Sequence, residues 1–263
     1  MFLGIDIGSS SSKVLAVDAA GAVLGSAVVN IGTGTNGVEL ALEELKQRTG
    51  LGREEAEYTV VTGYGRMTYQ GADEQITEIS CHAKGVVSRY PQARTIIDIG
   101  GQDAKAIQLG ADGRVENFVM NEKCAAGTGR FFEVMARVLN CTIRELPQLA
   151  AQSREAVPIS SICTVFAESE VISQLAGGAT LASVARGAHV SVARRVSGLA
   201  KRVEIRPQVV MTGGVALNGT MAQCLSEELG VPVTIPDSPQ TMGALGAAIF
   251  AKEHFTMARQ GQF

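Results

Sequence analysis

The feature that most constrains how this chain can fold is an internal repeat. "GIDIGSSSSKVLAVDAAGAV" (4–23) and "IIDIGGQDAKAIQLGADGRV" (96–115) align without a gap, placing Asp6 on Asp98, Gly8 on Gly100, Lys13 on Lys105 and Gly21 on Gly113. A repeat at a fixed offset marks a duplicated structural unit, and so constrains architecture more tightly than local propensity. Each copy reads as strand, glycine turn, strand, glycine turn, strand: apolar β-formers lead into Asp-Ile-Gly, resume after the lysine, and break again at a small-residue turn. Two related α/β halves are expected, a first domain over 1–92 and a second over 93–263.

The remainder of each half matches in outline. The first continues with an amphipathic helix at about 37–49, the strand "YTVVTG" and a helix at about 75–90. The second has "QVVMTGG", a helix at about 217–229, "VPVTI" and a final helix at about 241–254. "VVTGYG" and "VVMTGG" are a further echo. Between about 121 and 206 the second half carries extra helical material, at roughly 128–140, 143–152, 165–176 and 181–204, with the capping-box pattern Thr142-x-x-Glu145 ahead of the second of these helices. With 46% apolar and 19% charged residues, 263 residues are enough to build cores for both halves.

The glycine turns carry the first functional signal. A turn of glycines and hydroxyl residues between strands lets backbone N–H groups converge on an anion, because no Cβ blocks the approach. "GSSSSK" (Gly8, Ser9, Ser10, Ser11, Ser12, Lys13) and "GGQDAK" (Gly100, Gly101, Gln102, Asp103, Lys105) suit that role. Asp6 and Asp98, one at each preceding strand end, would then face phosphate, where a carboxylate is tolerable with a cation such as Mg²⁺ between them. Gln102 and Asp103 are candidates to orient an attacking water. Gly127, Thr128, Gly129 and Arg130 stand before an apolar run with helical spacing, as a phosphate- or ribose-contacting turn would; Arg130 either touches the ligand or neutralises carboxylates.

The five cysteines (81, 124, 141, 163, 224) are widely spaced and contain no CxxC. An odd number without paired spacing argues against a disulfide framework and leaves free thiols, metal ligands, or both. Cys124 and Cys163 each precede a predicted helix, whose positive end favours a thiolate. Two thiolates are half of the set a 4Fe-4S cluster usually takes, and a twofold axis would double them; their spacing alone fits no metal motif and equally suits small buried residues. Cys81-His82 falls in a helix as a core thiol, and Cys141 and Cys224 read as core or surface thiols. Glu168 and Glu170 either couple a cluster to nucleotide or serve as a solvated face or structural hydrogen bond. A net charge of −3 offers no general attraction for nucleic acid, and the basic residues of "ARRVSGLAKR" recur at helical spacing as a solvated face. "MFLGIDIGSS" has no basic n-region, and "MGALGAAIFA" is too short to span a bilayer, so a cytoplasmic protein without membrane attachment is expected.

The order "DIGSSSSK", "DIGGQDAK", "TGGVA", "GALGAA" resembles the ASKHA superfamily of acetate and sugar kinases, Hsp70 and actin. The resemblance implies two ribonuclease-H-like domains closing on ATP, with Gly213, Gly214, Val215 and Ala216 in the adenosine turn and Gly243 in the second connecting helix. "NEKCAAGTGRFFEVMA", "SSICTVFAESEVISQLAGG", "VTGYGR" and "IDIGGQDAK" are similar, over nearly the whole chain, to the activator component (component A) of 2-hydroxyacyl-CoA dehydratases, the BadF/BadG/BcrA/BcrD ATPase family. That likeness implies an oxygen-sensitive homodimer holding one 4Fe-4S cluster between subunits, with Cys124 and Cys163 at the ligand positions. It also implies ATP-driven transfer of one electron to a dehydratase, or related acyl-CoA reductase, from reduced ferredoxin or flavodoxin. The nucleotide site and the cluster would share the helix after Cys124, one end sensing ATP and the other holding iron. A small-molecule kinase of the same superfamily is the rival reading, and a sensory ATPase without electron transfer is a third.

Overall fold

The computed structural model describes residues 1–121, 124–160 and 163–261. The first repeat folds into β1 (Phe2–Ile7), β2 (Ser12–Val17) and β3 (Val23–Val29). It is followed by α1 (Gly37–Thr49), β4 (Tyr58–Thr62), a two-residue β5 (Glu74–Gln75) and α2 (Glu78–Arg89). The second repeat gives β6 (Thr95–Ile99), β7 (Ala104–Leu109) and β8 (Val115–Asn121). The helical insertion comprises α3 (Gly129–Val138), α4 (Leu146–Ala151), α5 (Thr164–Ala176) and α6 (Leu181–Ala200), and β9 (Val209–Thr212), α7 (Gly219–Leu229), β10 (Val233–Thr234) and α8 (Met242–Arg259) complete the chain.

Among the described residues the strands make two five-stranded sheets, ordered β3-β2-β1-β4-β5 and β8-β7-β6-β9-β10. The two orders are one topology used twice. In each, the repeat's first hairpin is antiparallel and its leading strand takes a parallel neighbour on the other side. The leading strands β1 and β6 are buried along their whole length, which explains why apolar residues occupy both of their faces, with Asp6 and Asp98 as the charged exceptions: a central strand covered on both faces has no solvent side to alternate toward.

By contacts the chain divides into two compact units. The first contains Met1–Arg94, Leu109–Glu116 and Ser238–Phe263, and the second Thr95–Gln108 and Asn117–Asp237. This division differs from the boundary drawn in sequence at residues 92/93, chiefly in the final helix. α8 packs on β1, β2, β4 and α2, so the last segment of the chain completes the first unit. Small residues make that packing possible: a Cβ on Gly246 would lie 1.8 Å from the Cys81 carbonyl oxygen, so the two helix backbones touch there. In the second unit the core centres on Phe131, Phe132 and Met135 of α3, packed with Val184, Ala188 and Val192 of α6. The Thr142 capping box forms, with Thr142 N–H donating to Glu145 Oε2 at 2.7 Å and Glu145 N–H to Thr142 Oγ1 at 3.3 Å. It closes a turn ahead of α4, whose first helical residue is Leu146. No helix among the described residues is long and apolar enough to cross a membrane.

Candidate functional site

The strand register turns the repeat into a repeated cluster of side chains. In the first sheet Asp6 lies opposite Lys13 on β2 and Thr62 on β4; in the second, Asp98 lies opposite Lys105 on β7 and Thr212 on β9. Lys13 Nζ stands 3.2 Å from Asp6 Oδ2, and Lys105 Nζ 3.2 Å from Asp98 Oδ2. Asp6 is 4% exposed and Asp98 3%, and a carboxylate that deep needs a cation or strong donors. Sequence reading placed the lysines only as charge partners of phosphate. The pairing was still legible, because an Asp and a Lys equidistant from a tight hairpin turn face each other across it.

Each device ends in a glycine that must be glycine. Gly63 and Gly213 follow the paired threonines at φ +88° and +87°, and a Cβ would sit 2.5 Å from Asp6 Oδ1 and 2.9 Å from Asp98 Oδ1 respectively. The echo of "VVTGYG" and "VVMTGG" is therefore a second strand supplying Thr and Gly to the same carboxylate. Neither Thr62, Gly63 nor Thr212 was among the sequence candidates, although that echo named all three. Gly243, on α8, joins the first cluster, since its Cβ would meet both Asp6 Oδ2 and His82 Nε2 at 3.0 Å.

The glycine turns close alike. Gly8 N–H donates to the Ser11 carbonyl and Gly100 N–H to the Asp103 carbonyl, both at 2.9 Å, so each turn closes on its first glycine's amide. Ser12 Oγ donates to the Ile31 carbonyl at 2.9 Å. Asp103 pairs with Lys105, while the Gln102 side chain is exposed. Gly214, Val215 and Ala216 form a short 3-10 turn after Gly213, leading to Asn218, which caps α7 by accepting from Met221 N–H at 3.0 Å. Asn218 Nδ2 also donates to His189 Nε2 at 2.8 Å; the ring's other nitrogen donates to the Ala185 carbonyl, its face packs on Phe132, and burial pushes the imidazole's pKa down.

Cys124 lies beside the second glycine turn through the backbone. It precedes a 3-10 turn (Ala125–Gly127), and Thr128 then leads into α3. Gly129 N–H donates to the Gly100 carbonyl at 2.9 Å and Arg130 N–H to the Gly101 carbonyl at 2.8 Å. The first amides of α3 thus bind the glycine turn itself. Cys124 and the Gly127–Arg130 turn both sit at the N-terminal end of α3, joined by the 3-10 turn between them. The Arg130 guanidinium pairs with Glu133 at 2.7 Å on its own helix surface, which is the carboxylate-neutralising alternative. Cys163 stands directly at the N-cap of α5 and is exposed. Glu170, on α5, accepts from Ser160 N–H at 2.8 Å and Ser160 Oγ at 2.9 Å, the structural-hydrogen-bond alternative.

The other thiols differ. Burial pushes Cys81 up to about 12, against the nearby Thr62 hydroxyl that lowers it, and Cys224 up to about 11. Both are neutral core thiols at pH 7. Cys141 is half-buried and also raised by burial, with the Glu145 charge adding to it.

Residues 3–251 match the BadF/BadG/BcrA/BcrD ATPase family. The chain belongs to this family. It is 52% identical over 95% of its length, and 97% of the relative's, to the activator of lactoyl-CoA dehydratase from Anaerotignum propionicum. The solved activator of the 2-hydroxyisocaproyl-CoA dehydratase from Clostridium difficile, with bound ADPNP, matches at TM-score 0.96 and 48% identity, covering 99% of this chain and 98% of that one. A ROK family glucokinase from Streptomyces griseus matches at TM-score 0.57 and 14% identity over 96% and 99% of the two chains, which shows the fold alone, that of the actin-like ASKHA proteins.

Proposed function

We propose that this chain is the ATP-driven activator of a 2-hydroxyacyl-CoA dehydratase or related acyl-CoA reductase, passing one electron from a 4Fe-4S centre held by a homodimer. The observation that carries the reading is the backbone link between the second glycine turn and the Cys124 turn, through Gly129 and Arg130. A ligand that shifts Gly100 and Gly101 must shift the first turn of α3, because two amide hydrogen bonds join them.

The residues suit the groups the reading requires. Asp6 and Asp98 are buried carboxylates of the hard-oxygen kind Mg²⁺ takes, and Mg²⁺ when bound neutralises charge on the terminal phosphates. Lys13 and Lys105 pair with those carboxylates and orient them. Ser9 to Ser11 and Gly101 to Gln102 offer donors for phosphate, and the Gly213–Ala216 turn a seat for adenosine; the Ser12 hydroxyl is committed to the Ile31 carbonyl. Cys124 and Cys163 present thiols of the kind that ligate iron. Two such thiols would be half of the set a 4Fe-4S cluster takes, and a second copy would complete it. The cluster when bound supplies a low-potential electron. Reduced ferredoxin or flavodoxin is the proposed donor, and a reducing cytoplasm suits five cysteines that form no disulfide.

Anaerobically purified protein should contain about four irons per two chains. Cys124→Ser and Cys163→Ser should each remove the iron, since each takes two of four ligands from a symmetric dimer, whereas Cys81→Ser, Cys141→Ser and Cys224→Ser should keep it. Full iron in the Cys163 variant, or a stoichiometric phosphorylated sugar or carboxylic acid as product, would refute the reading.

A further inference from the structure

α6 carries a basic run that sequence reading assigned to a solvated face, and one member departs from it. Arg194 is exposed and pairs with Glu228 at 3.1 Å. Arg195 turns inward: its Nη1 donates to the Ala126 carbonyl at 2.9 Å, in the middle of the turn that follows Cys124, and its guanidinium lies 5.5 Å from the centroid of the Phe131 ring. It lines a cavity of about 380 Å³ with Cys124, Asn121, Gly127 and Arg202, all within the second unit. Burial pushes its pKa down, and nearby Cys124 and Glu170 oppose that shift without cancelling it. One cation is thereby held against the Cys124 turn.

The backbone of Cys124 is clamped independently. Asn121 Nδ2 donates to the Cys124 carbonyl at 2.9 Å, and Cys124 N–H donates to Asn121 Oδ1 at 3.3 Å. Asn121 sets where the cysteine sits, and Arg195 fixes the turn immediately after it. A guanidinium is suited to this, because its donors can bond a carbonyl while its plane rests on an aromatic ring. Held in a partly desolvated cavity, its charge is screened less than one on the open surface.

We propose that Arg195 is a positioning residue for the redox centre: it holds the Ala125–Gly127 turn in place and supplies a fixed positive charge in the Cys124 cavity that favours the reduced, more negative state of the centre Cys124 ligates. The charge half of this inference rests on the cluster reading above; the positioning half does not. Cluster potentials respond to net charge and to solvent exposure near the sulfurs, so a fixed cation beside one ligand shifts the couple toward reduction.

The test uses the full-length protein in two forms. In iron-free protein, hydrogen exchange of the amides from 125 to 131 should be at least tenfold faster in Arg195→Gln than in wild type, with exchange elsewhere in α6 unchanged. Arg195→Lys, which keeps charge but not the fork, should fall between them. In anaerobic, iron-loaded dimer, a redox titration followed by electron paramagnetic resonance should show Arg195→Gln harder to reduce by about tenfold in the reduced-to-oxidised ratio, about 59 mV for one electron. Arg195→Lys should stay within threefold of wild type. Unchanged exchange in the Gln variant would overturn the positioning role, and faster exchange with an unchanged midpoint would overturn the electrostatic role. Wild-type protein that binds no iron would instead refute the cluster reading, leaving the exchange measurement to decide on Arg195.

Discussion

The first and second glycine-turn clusters share four residue types in one register and differ in what surrounds them. In the first, Lys13 has one carboxylate partner and its side chain is 14% exposed, and Thr62 lies against the buried thiol of Cys81. In the second, Lys105 is 3% exposed and bridges Asp98 and Asp103, while Thr212 Oγ1 donates to Asp98 Oδ1 at 2.9 Å. The first cluster is backed by α2 and α8, whereas the carbonyls of the second turn carry the start of α3 and so reach Cys124. Duplication preserved the chemistry of the carboxylate and left only one copy wired to the insertion. An insertion after β8 can attach there because the residues that follow that strand return past Gly100 and Gly101.

The largest expected effect tests whether both clusters serve one reaction. Asp6→Asn and Asp98→Asn should each lower ATP hydrolysis by about 100-fold or more, because placing a metal on transferring phosphate contributes several kcal/mol. Phosphate release measures this, with circular dichroism confirming the fold. Loss in one variant and full turnover in the other would break the equivalence. Asp98→Asn should destabilise the fold less than burial alone suggests, since Lys105 retains Asp103 as its partner.

Gly63→Ala and Gly213→Ala come next. Both force a left-handed backbone on an L-residue and drive a Cβ into carbonyl and carboxylate oxygens, so each should cost about 2 kcal/mol or more in urea unfolding. Similar losses support a duplicated device; a loss confined to Gly213→Ala would show that the first cluster can relax.

Alkaline unfolding sharpens the contrast in burial. The folded Cys81 thiol holds its proton up to about 12, whereas an unfolded cysteine releases it near about 8.5. Between those values the unfolded chain binds fewer protons, so stability falls as pH rises above about 8.5. Cys81→Ala and Cys224→Ala should each flatten that fall between about pH 8.5 and 10 to a similar extent, because both folded thiols keep their protons over that range. Equal slopes in wild type and Cys81→Ala would contradict the buried neutral thiol. The smallest change is Arg130→Ala: an exposed ion pair with Glu133 is worth under about 0.5 kcal/mol, so stability and the KM for ATP should barely move. A tenfold rise in KM would put Arg130 on the nucleotide.

The repeat, the hairpins, the parallel strand after each and the four inserted helices were legible because they depend on local chain chemistry: β-formers broken by glycine, helical periodicity, and a duplication that made each weak signal count twice. The capping box at Thr142 forms where it was read, but α4 starts at Leu146 rather than 143, since the box's two hydrogen bonds stabilise a bend as well as a helix start. The Asp–Lys pairs were written in the sequence as equal distances from a turn. Arg195 was not, because "ARRVSGLAKR" has the spacing of a solvated face and only the contact with Ala126 and Phe131 distinguishes its second arginine from its first.

By itself the sequence determined that two like units exist, that each presents a carboxylate, a lysine and a flexible turn, and that two cysteines precede helical segments. Only the tertiary structure decided that α8 completes the first unit, that Gly243 lies beside Asp6, and that the first amides of α3 bond to Gly100 and Gly101. Periodicity and turn chemistry act over a few residues and survive in any context. The pairing of segments distant in the chain depends on which close-packed arrangement buries the most surface with its polar groups satisfied, and that quantity belongs to the folded chain as a whole.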